Sequence, residues 1–216
     1  MKSKLIPIVI AVLVILLVVG GIYYVMRDGD GLNLTGGGDA VSAQEAIEQF
    51  DPQEDIDASF ARLDYYILQP PKHDEAAAEA VNYIQDSDET TRFVAVYFLG
   101  NTGNSTYADQ LLPALEDDND AIATIAAATL LGWGKKEAIP ILIESIIIED
   151  TIPYSEPPMA IGSLALRSLP LYTEQDFGDD AVTSDEELNN VQAEWKMWWS
   201  SNNSNLTWNS ETKSYE

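Results

Sequence analysis

The sequence contains no cysteine and one histidine, His73. Without thiols there is no disulfide framework, no thiol nucleophile and no thiolate metal site. A single imidazole also excludes a HExxH zinc site and the paired His-Glu sites of some helical-repeat hydroxylases, which need several. A Ser-His-Asp triad would have to recruit His73, and no G-x-S-x-G elbow is present to display a serine. Beside a double proline and at a helix start, His73 reads as a solvated capping residue. No GxxxxGK[ST] occurs, and the glycines of "LLGWGKK" follow no strand pattern, which disfavours a phosphate-binding loop. Basic residues are scarce as well: 11 Lys and Arg face 36 Asp and Glu, a net charge of -25. A field of that sign repels phosphate backbones and disfavours nucleic acid as a partner. It suits cationic partners, divalent ions or a saline exterior.

The first feature present is apolar. Residues 5–26, within "KLIPIVIAVLVILLVVGGIYYVMR", carry no charge. As a helix they would span about 33 Å, against a bilayer core of about 30 Å. Pro7 falls in the first turns, where proline is tolerated, and Tyr23 and Tyr24 stand at the far end as interfacial aromatics do. The run exceeds the h-region of a cleaved signal peptide, so an uncleaved anchor is expected. Lys2 and Lys4 precede it while Asp28 and Asp30 follow Arg27, which places residues 1–4 in the cytoplasm and the remainder outside. The first 26 residues hold two lysines and no acidic group, so the remainder sits two units below the whole chain's -25, at -27. Asn-x-Ser/Thr sequons at Asn33, Asn104, Asn202 and Asn205 are a mild excess over chance and agree with an outside face that is glycosylated.

Residues 27–41 form a Gly/Asp-rich linker. Asp28, Asp30 and Asn33 invite a calcium-loop reading, but Leu32 and Asp39 occupy ligand positions 5 and 12 of that pattern, which disfavours calcium. Ser42 with Glu45 predicts a helix-opening capping box. Ala46, Ile47 and Phe50 make a first short stripe, interrupted at Asp51-Pro52. Ile56, Phe60, Leu63 and Ile67 share one helical face that ends at Pro70-Pro71, and Ala77, Ala80, Val81 and Ile84 form the next.

Two segments then repeat: "DETTRFVAVYFLGNTGNSTYADQLLPALEDDND" and "DAIATIAAATLLGWGKKEAIPILIESIIIED". Asp88 aligns with Asp120, Ala95 with Ala127, and Leu99-Gly100 with Leu131-Gly132, each 32 residues apart. Tandem helix pairs of this length predict an α-solenoid. Asp88 and Asp120 are expected to cap, Leu99 and Leu131 to fill the core, and the small Ala95, Ala126, Ala127 and Ala128 to let helices approach. Gly100 and Gly132 are expected to close each first helix in a left-handed conformation, and Pro140 to fall in the first turn of a second helix.

These segments resemble the HEAT-like repeats of the phycobiliprotein-lyase type, closely over residues 86–149 and more loosely over 53–85 and 158–200. That family favours an aspartate, then Arg and Ala, then Leu-Gly, then an "aip-Leu" second helix. Arg92 matches the arginine position and Thr124 departs from it. The resemblance implies an α-solenoid with degenerate or capping outer units. By the family name it also implies a lyase-like or chaperone-type activity.

Further on, residues 159–169 predict a helix stopped by Pro170, and Ser184 with Glu187 caps another. Leu188, Val191, Trp195, Trp198 and Trp199 share one face of that last helix. They read as a lid on the solenoid's open end, with a sugar-stacking platform that includes Trp208 as the alternative. Residues 201–216 read as a polar, frayed tail from which Trp208 can dock back onto the domain. The carboxylates Glu116, Asp117, Asp118 and Asp120 could serve a glycosidase or hold calcium, but at a turn they read as a solvated acidic corner.

The expectation is therefore an all-α, short α-solenoid of HEAT-like helix pairs over 42–200, preceded by one transmembrane helix. It would be non-catalytic, without cofactor or metal, and would bind protein partners outside the membrane. The candidate contacts are Tyr107, Asp117, Asp118, Trp133, Lys135 and Lys136 at the repeat corners. The candidate glycan acceptors are the four sequon asparagines.

Overall fold

The computed structural model describes residues 41–53, 56–155, 157–178 and 184–216. The expected span, nearly all of the linker and the residues Asp28, Asp30 and Asn33 lie outside them. Among the described residues no helix is long and apolar enough to cross a membrane. Contacts divide these residues into two compact units, one ending at Ala114 and one beginning at Leu115.

The first unit opens with α1 (Ala43–Glu48). Ser42 Oγ accepts from the Glu45 N–H at 3.1 Å and Glu45 Oε2 accepts from the Ser42 N–H at 2.8 Å, the expected capping box. The next helix, α2 (Ile56–Ile67), buries Phe60, Leu63 and Tyr66, and the double proline then forms a 3-10 turn at Pro70–Lys72. It leads into α3 (His73–Ala80) and α4 (Glu89–Thr102), which pack on each other. Rings knit this unit together: Phe50 to Phe60 at 5.1 Å, Phe60 to Tyr97 at 5.6 Å and Tyr66 to Phe98 at 5.9 Å, all edge-on. The short α5 (Ala108–Leu111) follows.

The second unit is built on α6 (Asp120–Gly132), in which every residue from Ala121 to Leu131 is buried. A helix apolar on all sides belongs inside a core. On it pack α7 (Ala138–Ser145) and α8 (Ile161–Thr173). The hydroxyls of Thr124 and Ser145 meet at 2.7 Å between α6 and α7, so the position where the resembled family has arginine carries a buried polar link here. Gly162 lies against the end of α7, where an added methyl would fall on the Ile146 carbonyl oxygen. Pro170 does not stop α8. It lies inside the helix, which continues to Thr173 and closes at Glu174 in a left-handed conformation, φ 57°. A proline this near the end removes one ladder bond and leaves only the final turn to complete.

The last helix, α9 (Asp185–Asn202), is capped by Ser184 as expected and packs on α7. Gln192 Nε2 donates to the Ile143 carbonyl at 3.0 Å, and Lys196 meets Glu144 at 2.9 Å. Residues 203–216 differ from a frayed tail. They fold into an antiparallel hairpin of β1 (Trp208–Asn209) and β2 (Ser214–Tyr215), with Tyr215 buried.

The repeat holds, with a different register at its ends. Asp88 caps α4, accepting from the Thr91 N–H at 2.8 Å. The cap of α6 is Asn119, which accepts from Ala121 and Ile122, while Asp120 is the first helical residue. Gly100 lies inside α4 and Gly132 is the last residue of α6. The left-handed glycines are Gly103, φ 65°, and Gly134, φ 79°. Cap and glycine are thus 31 residues apart in the two units rather than 32, and each helix spans the same length from cap to glycine. Gly132 is small for another reason: an added Cβ would come within 2.8 Å of the Tyr172 hydroxyl. Pro140 falls in the first turn of α7 as expected.

Candidate interaction surface

Several of the expected contact residues have a local cause for their position. In the turn entering α6, Asp117 Oδ1 accepts from the Asn119 N–H at 2.9 Å, and Asn119 in turn caps the helix. The turn entering α4 repeats this device, Asp86 Oδ1 accepting from the Asp88 N–H at 2.8 Å. Asp117 is therefore half-buried and structural, while Asp118 beside it is exposed. Among the described residues no three acidic or histidine side chains gather to hold a metal ion, at this corner or elsewhere.

In the turn leaving α6, the Gly134 N–H donates to the Leu131 carbonyl at 3.0 Å and the Lys135 N–H to the Leu130 carbonyl at 2.9 Å. Trp133, Lys135 and Lys136 are half-buried. Lys136 Nζ donates to the Asn203 carbonyl at 2.8 Å, fastening the approach to the hairpin. Asp117 and Asp118 precede α6 and these three follow it. A helix of that length is about 20 Å long, so the acidic and basic candidates form two corners and not one patch. Tyr107 belongs to the first unit, half-buried at the end of a 3-10 turn.

The C-terminal tryptophans are accounted for by packing. Trp195 is fully buried, edge-on to Phe177 at 4.8 Å and to Trp198 at 5.5 Å. Trp198, Trp199 and Trp208 are half-buried. Trp208 lies over Gly134, where an added Cβ would come within 2.7 Å of its ring, and 5.0 Å from Tyr215. A sugar platform needs open indole faces, and Trp195 has none. The sequence signal for this docking was the symmetric placement of Trp208 and Tyr215 about a polar turn.

His73 is half-buried rather than solvated, its Nε2 2.8 Å from the Ile67 carbonyl at the end of α2. Arg92 Nη1 donates to the carbonyls of Asp86 and Ser87, bracing the turn before α4. Tyr83 donates to Glu48 at 2.7 Å. That bond is the main reason its hydroxyl is pushed up to about 12. Burial alone pushes Tyr172 up to about 12. The surface also exposes large apolar side chains outside the expected set: Met197, 63% exposed, with Ile147, Leu68 and Tyr65. Met197 stands outside the α9 stripe, which is the sequence signal that would have found it.

Against known proteins, residues 67–132 match the family model of HEAT repeats, a segment that runs from the end of α2 to the end of α6. No curated protein and no solved structure matches the chain. HEAT repeats generally mediate protein–protein interaction, through the extended surfaces that tandem helix pairs present. The described residues are thus mostly helical, and residues 67–132 are similar to HEAT repeats.

Proposed function

We propose that this protein is a membrane-anchored HEAT-repeat module that binds a partner protein outside the membrane, as a scaffold or adaptor in an envelope complex, without catalysis. The match to HEAT repeats over residues 67–132 carries the reading, because such helix pairs serve mainly as docking surfaces. The uncharged run at 5–26 supplies the anchor, and the lysine-before, aspartate-after asymmetry supplies the orientation. The net charge of -25 favours a partner with a cationic face, steered over distance and weakened by salt. Exposed Asp118 is the corner residue with which such a face would first engage. Arg92, which matches the arginine position of the resembled lyase-type repeats, donates to backbone carbonyls here, a structural role.

Crosslinking the full chain in its own membranes, followed by affinity capture and mass spectrometry, tests this. One reproducible protein partner is expected, recovered less well in D118K and at high salt. Absence of any reproducible partner with the span intact would overturn the reading. Protease shaving of intact cells tests the placement: residues beyond 41 should be digested, and their protection would refute the outside position.

A further inference from the structure

An N-linked glycan is carried on Nδ2 of asparagine, so the acceptor amide must be reachable and released from its own hydrogen bonds. The three sequons within the described residues differ in this. Asn104 is half-buried. Its Oδ1 accepts from the Thr106 N–H at 3.1 Å and its Nδ2 donates to Asp74 Oδ1 at 2.7 Å, tying the start of α3 to the turn after α4. Asn202 is half-buried at the last position of α9, and its Nδ2 donates to the Trp198 carbonyl at 2.8 Å.

Asn205 is exposed, and only its backbone is engaged, the N–H donating to the Asn202 carbonyl at 2.9 Å. It stands in the turn between α9 and the hairpin. Two residues on, Thr207 is also exposed, held in place by backbone bonds to Glu216 at 2.9 and 3.0 Å, while its hydroxyl makes only a long 3.4 Å contact with the Glu216 carbonyl. The amide and the hydroxyl that define the sequon are therefore both displayed on a turn anchored at each end.

We infer that Asn205 is the N-glycan acceptor of this domain, in preference to Asn104 and Asn202. The inference rests on the outside placement proposed above. The co-substrate is a polyprenyl phosphate- or diphosphate-linked oligosaccharide. The Asn205 Nδ2–carbon bond forms at the anomeric carbon as that carbon's bond to the phosphate oxygen breaks. One amide proton passes to a base of the membrane transferase, and the lipid phosphate departs with the bonding electron pair. The surface chemistry fits: no buried side chain must move, and no intramolecular hydrogen bond of the acceptor is lost.

The test translates the full chain, in an N33Q background, with membrane vesicles that carry an oligosaccharyltransferase and its lipid-linked sugar. Added protease reports which side the domain occupies, and glycopeptide sequencing reports the site. A protected domain with an endoglycosidase-sensitive shift is expected, lost completely in N205Q and T207A, kept in T207S, and unchanged in N104Q and N202Q. A protected domain with Asn205 bare, or with sugar on Asn104 or Asn202 instead, overturns the acceptor while the placement stands. A digested, unmodified domain overturns the placement and the acceptor together.

Discussion

Helices α4 and α6 occupy the same position in two copies of one repeat, yet they are packed by opposite means. Each runs from a side-chain cap to a left-handed glycine over the same number of residues. Between these ends α4 carries Phe93, Tyr97 and Phe98, and its unit is joined by ring-to-ring contacts. Thirty-one residues on, α6 carries the smaller Thr124, Ala128 and Thr129, all buried, and its unit uses close approach at glycine, Gly132 to the Tyr172 ring and Gly162 to the Ile146 backbone. The frame is thus set by the ends of the helix, while the filling differs, and each interior reaches close packing by its own means. The two units should therefore fail under different substitutions.

The largest effect is expected in the ring-packed unit. Phe60 is 3% exposed and touches both Phe50 and Tyr97, so Phe60→Ala should cost about 3–5 kcal/mol, read as a fall in the urea midpoint. A loss below about 1 kcal/mol would mean that the rings collapse into the gap and that the unit is not held by them. In the close-packed unit the damaging change is an addition. Gly162→Ala sets a methyl on the Ile146 carbonyl, and a cost of about 3 kcal/mol is expected, near the upper end of overpacking. A neutral G162A would dissolve the contrast between the units.

What the sequence disclosed follows the same division between ends and filling. Caps are local chemistry, and Ser42, Asp88 and Ser184 were legible because one oxygen and one N–H three residues on decide each. The helix ends are ambiguous in sequence because two glycines lie near each: "Leu-Gly" aligns Gly100 with Gly132, while the left-handed backbone falls at Gly103 and Gly134. Asn119 and Asp120 can both cap, and only the helix's own phase distinguishes them. Pro170 predicts a stop, yet a proline in the final turn leaves few ladder bonds to break. The hairpin leaves only a faint trace in the sequence, Trp208 and Tyr215 on either side of a polar turn, because its strands are two residues long and pack through those two rings. Of the expected contact residues, exposure at Asp118 was legible. The structural duties of Asp117 and Lys136 were not, since Lys136 bonds a carbonyl 67 residues away.

The paired glycines sharpen the comparison at a smaller scale. Gly103 has open space where a Cβ would go, so Gly103→Ala should cost only the left-handed strain, about 1 kcal/mol. Gly134 has the same handedness and the Trp208 ring above it. Gly134→Ala should cost about 2 kcal/mol and shift the tryptophan emission to the red as the indole is pushed toward water. Equal costs with unchanged emission would mean that the hairpin does not rest on that turn.

The smallest effect separates the two caps by pH. Asp88 is charged and Asn119 is not, so only α4 has a cap that titrates. Hydrogen bonds from the Thr91 backbone and hydroxyl, with Arg92 nearby, hold the Asp88 carboxyl below its ordinary range. A folded pKa below the unfolded one contributes stability that is present above about 3.9, the ordinary aspartate value, and is lost as pH falls through the folded value. Asp88→Asn keeps the accepting oxygen and removes the charge. It should therefore cost about 0.3–1 kcal/mol at neutral pH, the worth of a carboxylate at an exposed helix N-terminus, and nothing once the carboxyl is protonated. Unfolding midpoints of the two proteins should converge as pH drops below about 3.9, while Asn119→Asp should introduce the same acid dependence into α6. Parallel pH profiles for wild type and D88N would show that the charge contributes nothing and that the two caps, despite their different chemistry, are one device.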